Sequence, residues 1–211
     1  MSMILLGAAA LLGIAYWLVL LRKEESLLRA AAKTLPMALL AFTSWWAESA
    51  YFLTLALVLS SIGDWFLAFR GERAFLAGLG AFLAAHLVYC ALFFAGQDVE
   101  WTQGPWFLSG TVLVFALALG VFRRLRDHLG PMKIPVAIYC GAIAAMAVAA
   151  LGNGPDPLLI SGVALFMASD LVLAHEVFML EEDSPARKVT APFVWLSYLA
   201  AQILITASFL N

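Results

Sequence analysis

Charge, glycine and proline cut this chain into eight apolar stretches, approximately 3–21, 27–46, 49–69, 74–96, 104–122, 133–151, 157–179 and 189–210. Each is close to the roughly 20 residues with which an α-helix crosses a bilayer. The apolar residues run continuously instead of alternating with polar ones, and 64% of the chain is hydrophobic with only 12% charged. Soluble domains are roughly half apolar and a quarter charged, so a mean hydropathy of +0.95 excludes a soluble fold for so short a chain. The predicted fold class is all-α. It is a polytopic membrane helix bundle of eight transmembrane helices, one domain over residues 1–211. The first stretch has no basic residue ahead of it and Arg22 and Lys23 behind it, so it is expected to be a retained helix and not a signal peptide.

The connections sort by sign. All 12 basic residues lie in or beside the odd-numbered ones: Arg22, Lys23, Arg29 and Lys33, then Arg70 and Arg73, then Arg123, Arg124, Arg126 and Lys133, then Arg187 and Lys188. The even connections carry Glu48, Asp98, Glu100 and Asp156. By the positive-inside rule the odd loops face the cytoplasm and both termini the far side, the expected location being a bacterial inner membrane. Trp45, Trp46, Trp101 and Trp106 gather at the opposite, non-cytoplasmic ends, where aromatic belts form. The formal net charge of −2 offers no basic stripe for nucleic acid. Cys90 and Cys140 sit singly in apolar runs, so small core residues are expected and neither a disulfide, a metal site nor a cofactor is signalled.

An ionisable group inside a spanning segment costs several kcal/mol unless it faces protein or water, which makes it a candidate functional residue. The candidates are Asp64, His86, Asp170 and Lys33, with His175 and Glu176 expected at the headgroup surface beside Glu181, Glu182 and Asp183. At about 1.5 Å per residue, Asp64 lies roughly 22 Å from the start of its segment and Asp170 roughly 20 Å from the start of its own, so the two acids share a depth in the cytoplasmic half. Tyr139 falls at a similar level, and His86 nearer the midplane. The wording around the acids also repeats, "GDWFLA" at 63–68 against "SDLVLA" at 169–174, which fits duplication of a four-helix unit. Gly63 and Ser169 leave room beside each acid for a close neighbour. Each acid taken alone also has a structural reading, bonded to a Tyr, Ser or Lys on the next helix.

Two carboxylates in one low-dielectric site repel when both are ionised, so the pair acts as an acid with a base beside it. That equipment serves metal-free hydrolysis. It serves proton-coupled transport equally well, and a scaffold role would need neither group. An intramembrane aspartyl protease fits poorly, because this chain reads Ser-Ile-Gly-Asp and Ser-Asp where those enzymes have GxGD and YD.

Six pieces in order, "KTLPMALL" (33–40), "GDWFLA", "AHLVY" (85–89), "PVAIY" (135–139), "SDLVLA" and "YLAAQILI" (198–205), give a sequence that resembles the YhhN-like lysoplasmalogenase family. Thr34 and Leu35 intervene here before Pro36, where the family often has Pro directly after the Lys. The resemblance implies an alkenyl lysophospholipid as substrate, cleaved at its vinyl ether to a fatty aldehyde and glycerophosphoethanolamine or glycerophosphocholine. It implies Asp64 and Asp170 as the catalytic pair, their two roles unassigned. Tyr139, Tyr198 and Gln202 are expected to bond the acids or the glycerol hydroxyl, His86 and Tyr89 to line the cavity, and Lys33 to meet the lipid phosphate or snorkel toward it.

Overall fold

Eight long helices account for the eight apolar stretches in the computed structural model, which describes residues 1–47, 50–181 and 183–210. Glu48, Ser49, Glu182 and Asn211 lie outside the described residues, and with them the expected start of the third stretch and two of the loop acids. The elements are α1 (Ser2–Val19), α2 (Leu27–Trp46), α3 (Tyr51–Phe66), α4 (Glu72–Ala95), the short α5 (Val99–Thr102), α6 (Pro105–Leu125), α7 (Lys133–Leu151), α8 (Pro157–Met179) and α9 (Arg187–Ser208), with a 3-10 turn at Gly130–Met132. No strand occurs among the described residues.

Local chemistry sets several of these ends. Ser26 caps α2 by accepting from the Arg29 amide at 3.1 Å, and Asp156 caps α8 just ahead of Pro157, whose missing N–H costs nothing at a first helical position. Pro36 lies inside α2 without ending it. α3 stops at Phe66, short of the predicted 69, because the chain turns there and Arg29 Nη1 donates to the Ala68 carbonyl at 2.8 Å. α5 was not foreseen; it is a single turn capped by Asp98.

Six helices, α1, α4, α6, α7, α8 and α9, are long and apolar enough to cross a membrane. α3 is apolar but has only 16 residues, and α2 opens with Arg29 and Lys33. The protein is an integral membrane protein by this measure.

Among the described residues, neighbouring helices close a ring in the order α1, α2, α3, α4, α7, α8, α9 and back to α1, with α6 outside it against α7 and α8. The ring interior is aromatic. The Tyr198 ring meets Phe82 edge-on at 5.7 Å and Phe166 at 5.6 Å, and Phe166 meets His86 at 4.7 Å. Gly63 makes this possible on the α3 side, since a Cβ there would lie 2.6 Å from the Phe82 ring. Gly162 does the same between α8 and α9, where a Cβ would come within 3.0 Å of the Ala201 carbonyl oxygen.

Two helix pairs correspond. α2 and α7 begin at Leu27 and Lys133, and α3 and α8 at Tyr51 and Pro157, so each pair is offset by 106 positions (27 to 133, 51 to 157). The same offset carries Lys33 onto Tyr139 and Asp64 onto Asp170. The starts of α1 and α6 lie 103 positions apart (2 to 105) and those of α4 and α9 115 apart (72 to 187), so the constant offset extends the repeated wording around the acids to two helix pairs.

Candidate active site

Asp64 is 2% exposed on α3 and faces the ring interior. Its Oδ1 lies 3.5 Å from Lys33 Nζ on α2, and its Oδ2 accepts a hydrogen bond of 2.8 Å from the Tyr198 hydroxyl on α9. One turn along α9, Gln202 donates through Nε2 to Ser60 Oγ at 3.1 Å and accepts from the Tyr89 hydroxyl at 2.5 Å. The spacing of Ser60 and Asp64 on α3 matches that of Gln202 and Tyr198 running the other way, so two antiparallel helices are pinned across the interior at two levels.

Asp170 on α8 is 9% exposed. Its Oδ2 accepts from the Tyr139 hydroxyl on α7 at 2.9 Å and lies 3.4 Å from His86 Nε2 on α4. His86 Nδ1 is 2.6 Å from the Phe82 carbonyl oxygen. A carbonyl only accepts, so Nδ1 carries the hydrogen and Nε2 turns its second position toward Asp170. Among the described residues Nε2 completes no hydrogen bond of its own. The close approach of Nε2 and Oδ2 is favourable only with a proton between them, whether it rests on nitrogen or on oxygen.

The two acids thus follow one plan and differ in one partner. Each meets the preceding helix of its own half and a helix of the other half: α2 and α9 for Asp64, α7 and α4 for Asp170. The preceding helix supplies an ammonium to Asp64 and a phenol to Asp170. No polar partner is common to both among the described residues, and aromatic contacts link the two clusters: Tyr198, bonded to Asp64, packs on Phe166, which packs on His86 beside Asp170. The two acids thus form two linked half-sites of one interior.

An apolar cavity of about 290 Å³ adjoins the second half-site between α4, α6, α7 and α8. Leu79, Val121, Ile143 and Met167 are among its walls, and Asp170, Tyr139 and the Cys140 thiol are its only polar side chains among the described residues. Asp170 therefore stands at the boundary between the ring interior and a space suited to a hydrocarbon chain.

All eight side chains singled out in the sequence, Lys33, Asp64, His86, Tyr89, Tyr139, Asp170, Tyr198 and Gln202, turn into this interior. Two expectations change. Lys33 is drawn inward to Asp64 with its side chain 14% exposed, instead of snorkelling to a lipid phosphate, because a buried carboxylate one helix away is the better partner. Glu176 is buried and not at the surface: the Thr190 hydroxyl donates to its carboxylate, and Arg187 caps the Glu176 backbone carbonyl at 2.6 Å where α9 folds back over α8. Ser60 was missed, although its place one turn before Asp64 marks the same helix face. Replacing Gln202 by Leu is expected to leave the Tyr89 hydroxyl and Ser60 buried and unpaired. It should cost about 1–3 kcal/mol for each such group, read as a lower unfolding midpoint in detergent.

The family model for the YhhN family matches residues 28–209, a span that contains all eight. The chain belongs to the YhhN family. It is 36% identical over 159 residues to a protein of Mycobacterium tuberculosis named lysoplasmalogenase, covering 73% of this chain and 58% of that relative. It is 35% identical over 159 residues to human lysoplasmalogenase TMEM86B, covering 74% of this chain and 62% of the relative. A pig protein of the same name is 32% identical over 156 residues, covering 72% of this chain and 61% of the relative. The chain thus spans somewhat under two thirds of the length of these family members. No solved structure matches it.

Proposed function

We infer that this YhhN-family protein is a membrane hydrolase that cleaves the vinyl ether of lysoplasmalogens, releasing a fatty aldehyde and glycerophosphoethanolamine or glycerophosphocholine. The observation that carries the reading is the unequal partnering of the two acids. Asp64, beside an ammonium, is held as a carboxylate. Asp170, facing a neutral imidazole and a phenol at the wall of an apolar cavity, is held with a proton to give.

Chemistry follows from this division. With the alkenyl chain in the cavity, Asp170 gives its proton to the β-carbon, the chain-side carbon of the double bond. The electrons of that bond form the new C–H bond, and the positive charge is left on the adjacent carbon, shared with the ether oxygen. Asp64 lies on the headgroup side, where its negative charge stabilises this cation and its free lone pairs take a proton from the attacking water, much as paired carboxylates serve glycoside hydrolysis. The resulting hemiacetal collapses as the protonated Asp64 returns its proton to the departing glycerol oxygen and the hemiacetal hydroxyl proton restores Asp170. Both groups end as they began. His86 holds the Asp170 proton in place, and Tyr198 holds the Asp64 carboxylate.

The same reading gives eight spans with both termini on the non-cytoplasmic side, the odd loops and the substrate headgroup in the cytoplasm, and residence in a bacterial inner membrane. It is supported by the lysoplasmalogenase names of the relatives and by the chemistry of the two half-sites. The test is reconstitution in vesicles without any ion gradient: aldehyde appears from an alkenyl lysolipid. Solute accumulation that requires an imposed proton gradient, with no aldehyde, would instead mark a transporter using the same acids.

A further inference from the structure

A second polar space lies at the end of the bundle where the α1–α2 and α3–α4 connections meet. It measures about 620 Å³ and is lined by Arg22, Lys23, Arg29 and Arg70 together with Glu24 and Glu25. Arg70 pairs with Glu25 at 3.1 Å near the surface. Deeper in, Arg29 spends one guanidinium nitrogen on the Ala68 carbonyl, while its Nε is buried with no hydrogen-bond partner among the described residues. Beside it sits the hydroxyl of Tyr16, a residue 2% exposed, which also makes no well-formed hydrogen bond among the described residues. Arg29 stands in the pocket wall with Tyr16 facing it from behind, and the two meet in poor hydrogen-bond geometry, so a buried donor is left unspent next to the charged pocket, which is costly unless something accepts from it.

Arg29 also stands one turn before Lys33 on α2, so the pocket floor is about 6 Å along the helix from the Lys33–Asp64 pair. In a glycerophospholipid the phosphorus and the ether oxygen at the other end of the glycerol are separated by a comparable span.

We propose that this pocket binds the phosphodiester headgroup of the lysolipid, with Arg29 and Tyr16 donating to the phosphate and Glu24 and Glu25 facing the headgroup ammonium. The proposal rests on the hydrolase reading for its substrate, and it gives the phosphate role to Arg29 in place of Lys33. A planar guanidinium matches a phosphate edge with two parallel donors, which an ammonium cannot do. The presence of both charge signs favours a zwitterionic headgroup over an anion alone. Seated there, the lipid would place its ether oxygen at Asp64 and direct its chain across the interior toward Asp170.

Calorimetric titration of the purified full chain in detergent tests this without turnover. Glycerophosphoethanolamine is expected to bind, inorganic phosphate more weakly and glycerol not at all. Arg29→Gln should weaken glycerophosphoethanolamine by about tenfold or more, and Tyr16→Phe, which removes one hydroxyl and keeps the buried ring, should weaken it several-fold. In an aldehyde assay both variants should raise KM more than they lower kcat. Three results overturn the proposal: no binding of glycerophosphoethanolamine, binding unchanged in Tyr16→Phe, or inorganic phosphate binding as tightly as the headgroup. If instead binding behaves as expected but no aldehyde is released, the pocket stands and the hydrolase reading falls.

Discussion

Lys33→Met is expected to destabilise the protein by about 3–5 kcal/mol, the cost of leaving a buried charge without its partner. Asp64 is 2% exposed, and its other contact, the Tyr198 hydroxyl, is a single neutral donor. Deprived of the ammonium at 3.5 Å, the carboxylate can keep its charge only against the low dielectric of the interior, or take up a proton and lose its catalytic form. Unfolding of the purified variant in detergent reads the first outcome and aldehyde release the second. The double variant Lys33→Met, Asp64→Asn separates them. It removes both charges, so most of the lost stability should return while activity stays absent. A double variant as unstable as the single one would mean that Lys33 acts through packing and not through Asp64.

Asp170→Asn should lower kcat by about 10²–10⁴-fold, the usual contribution of a positioned general acid, with little change in stability. Both contacts, at 2.9 Å and 3.4 Å, fall on Oδ2, and an amide of the same shape that places its nitrogen there donates to His86 Nε2 and to the Tyr139 oxygen, while the proton that can be transferred is gone. Asp64→Asn should behave differently: it also abolishes turnover, but it strands the Lys33 ammonium and so lowers stability too. Equal stability losses in the two single variants would contradict the assignment of an ionised Asp64 and a protonated Asp170.

These contrasts show which parts of the molecule the sequence made legible. The apolar stretches predicted the long helices because a spanning segment must satisfy its backbone internally, so hydropathy and length alone decide its existence. α7 and α8 match their predicted limits throughout, whereas α3 ends early because a tertiary partner, Arg29, takes the Ala68 carbonyl. The acids stood out because ionisable groups are rare at that depth, Tyr139 by its level along its helix, and Tyr198 and Gln202 only through the family resemblance and their one-turn spacing. The partnering was not readable. A lysine near a helix end reaches the interface or turns inward with equal ease along the sequence, and only the position of α3 beside α2 decides that Lys33 meets Asp64. Glu176 was misplaced for the same reason, since its burial depends on where α9 starts to fold over α8. The internal repeat lay between these cases. Six letters around each acid barely registered it, while the starts of α2, α3, α7 and α8 share one offset that carries Lys33 onto Tyr139, and the contacts then show an ammonium beside one acid and a phenol beside the other.

Delivery of a proton to carbon by a carboxylic acid beside a hydrocarbon cavity is tested most directly by product analysis in heavy water. Purified protein in detergent, given an alkenyl lysolipid and its acyl analogue, should release fatty aldehyde carrying one solvent deuterium on the carbon next to the aldehyde group and should leave the acyl analogue intact. Free fatty acid from the acyl analogue, or no aldehyde from the alkenyl one, would contradict it.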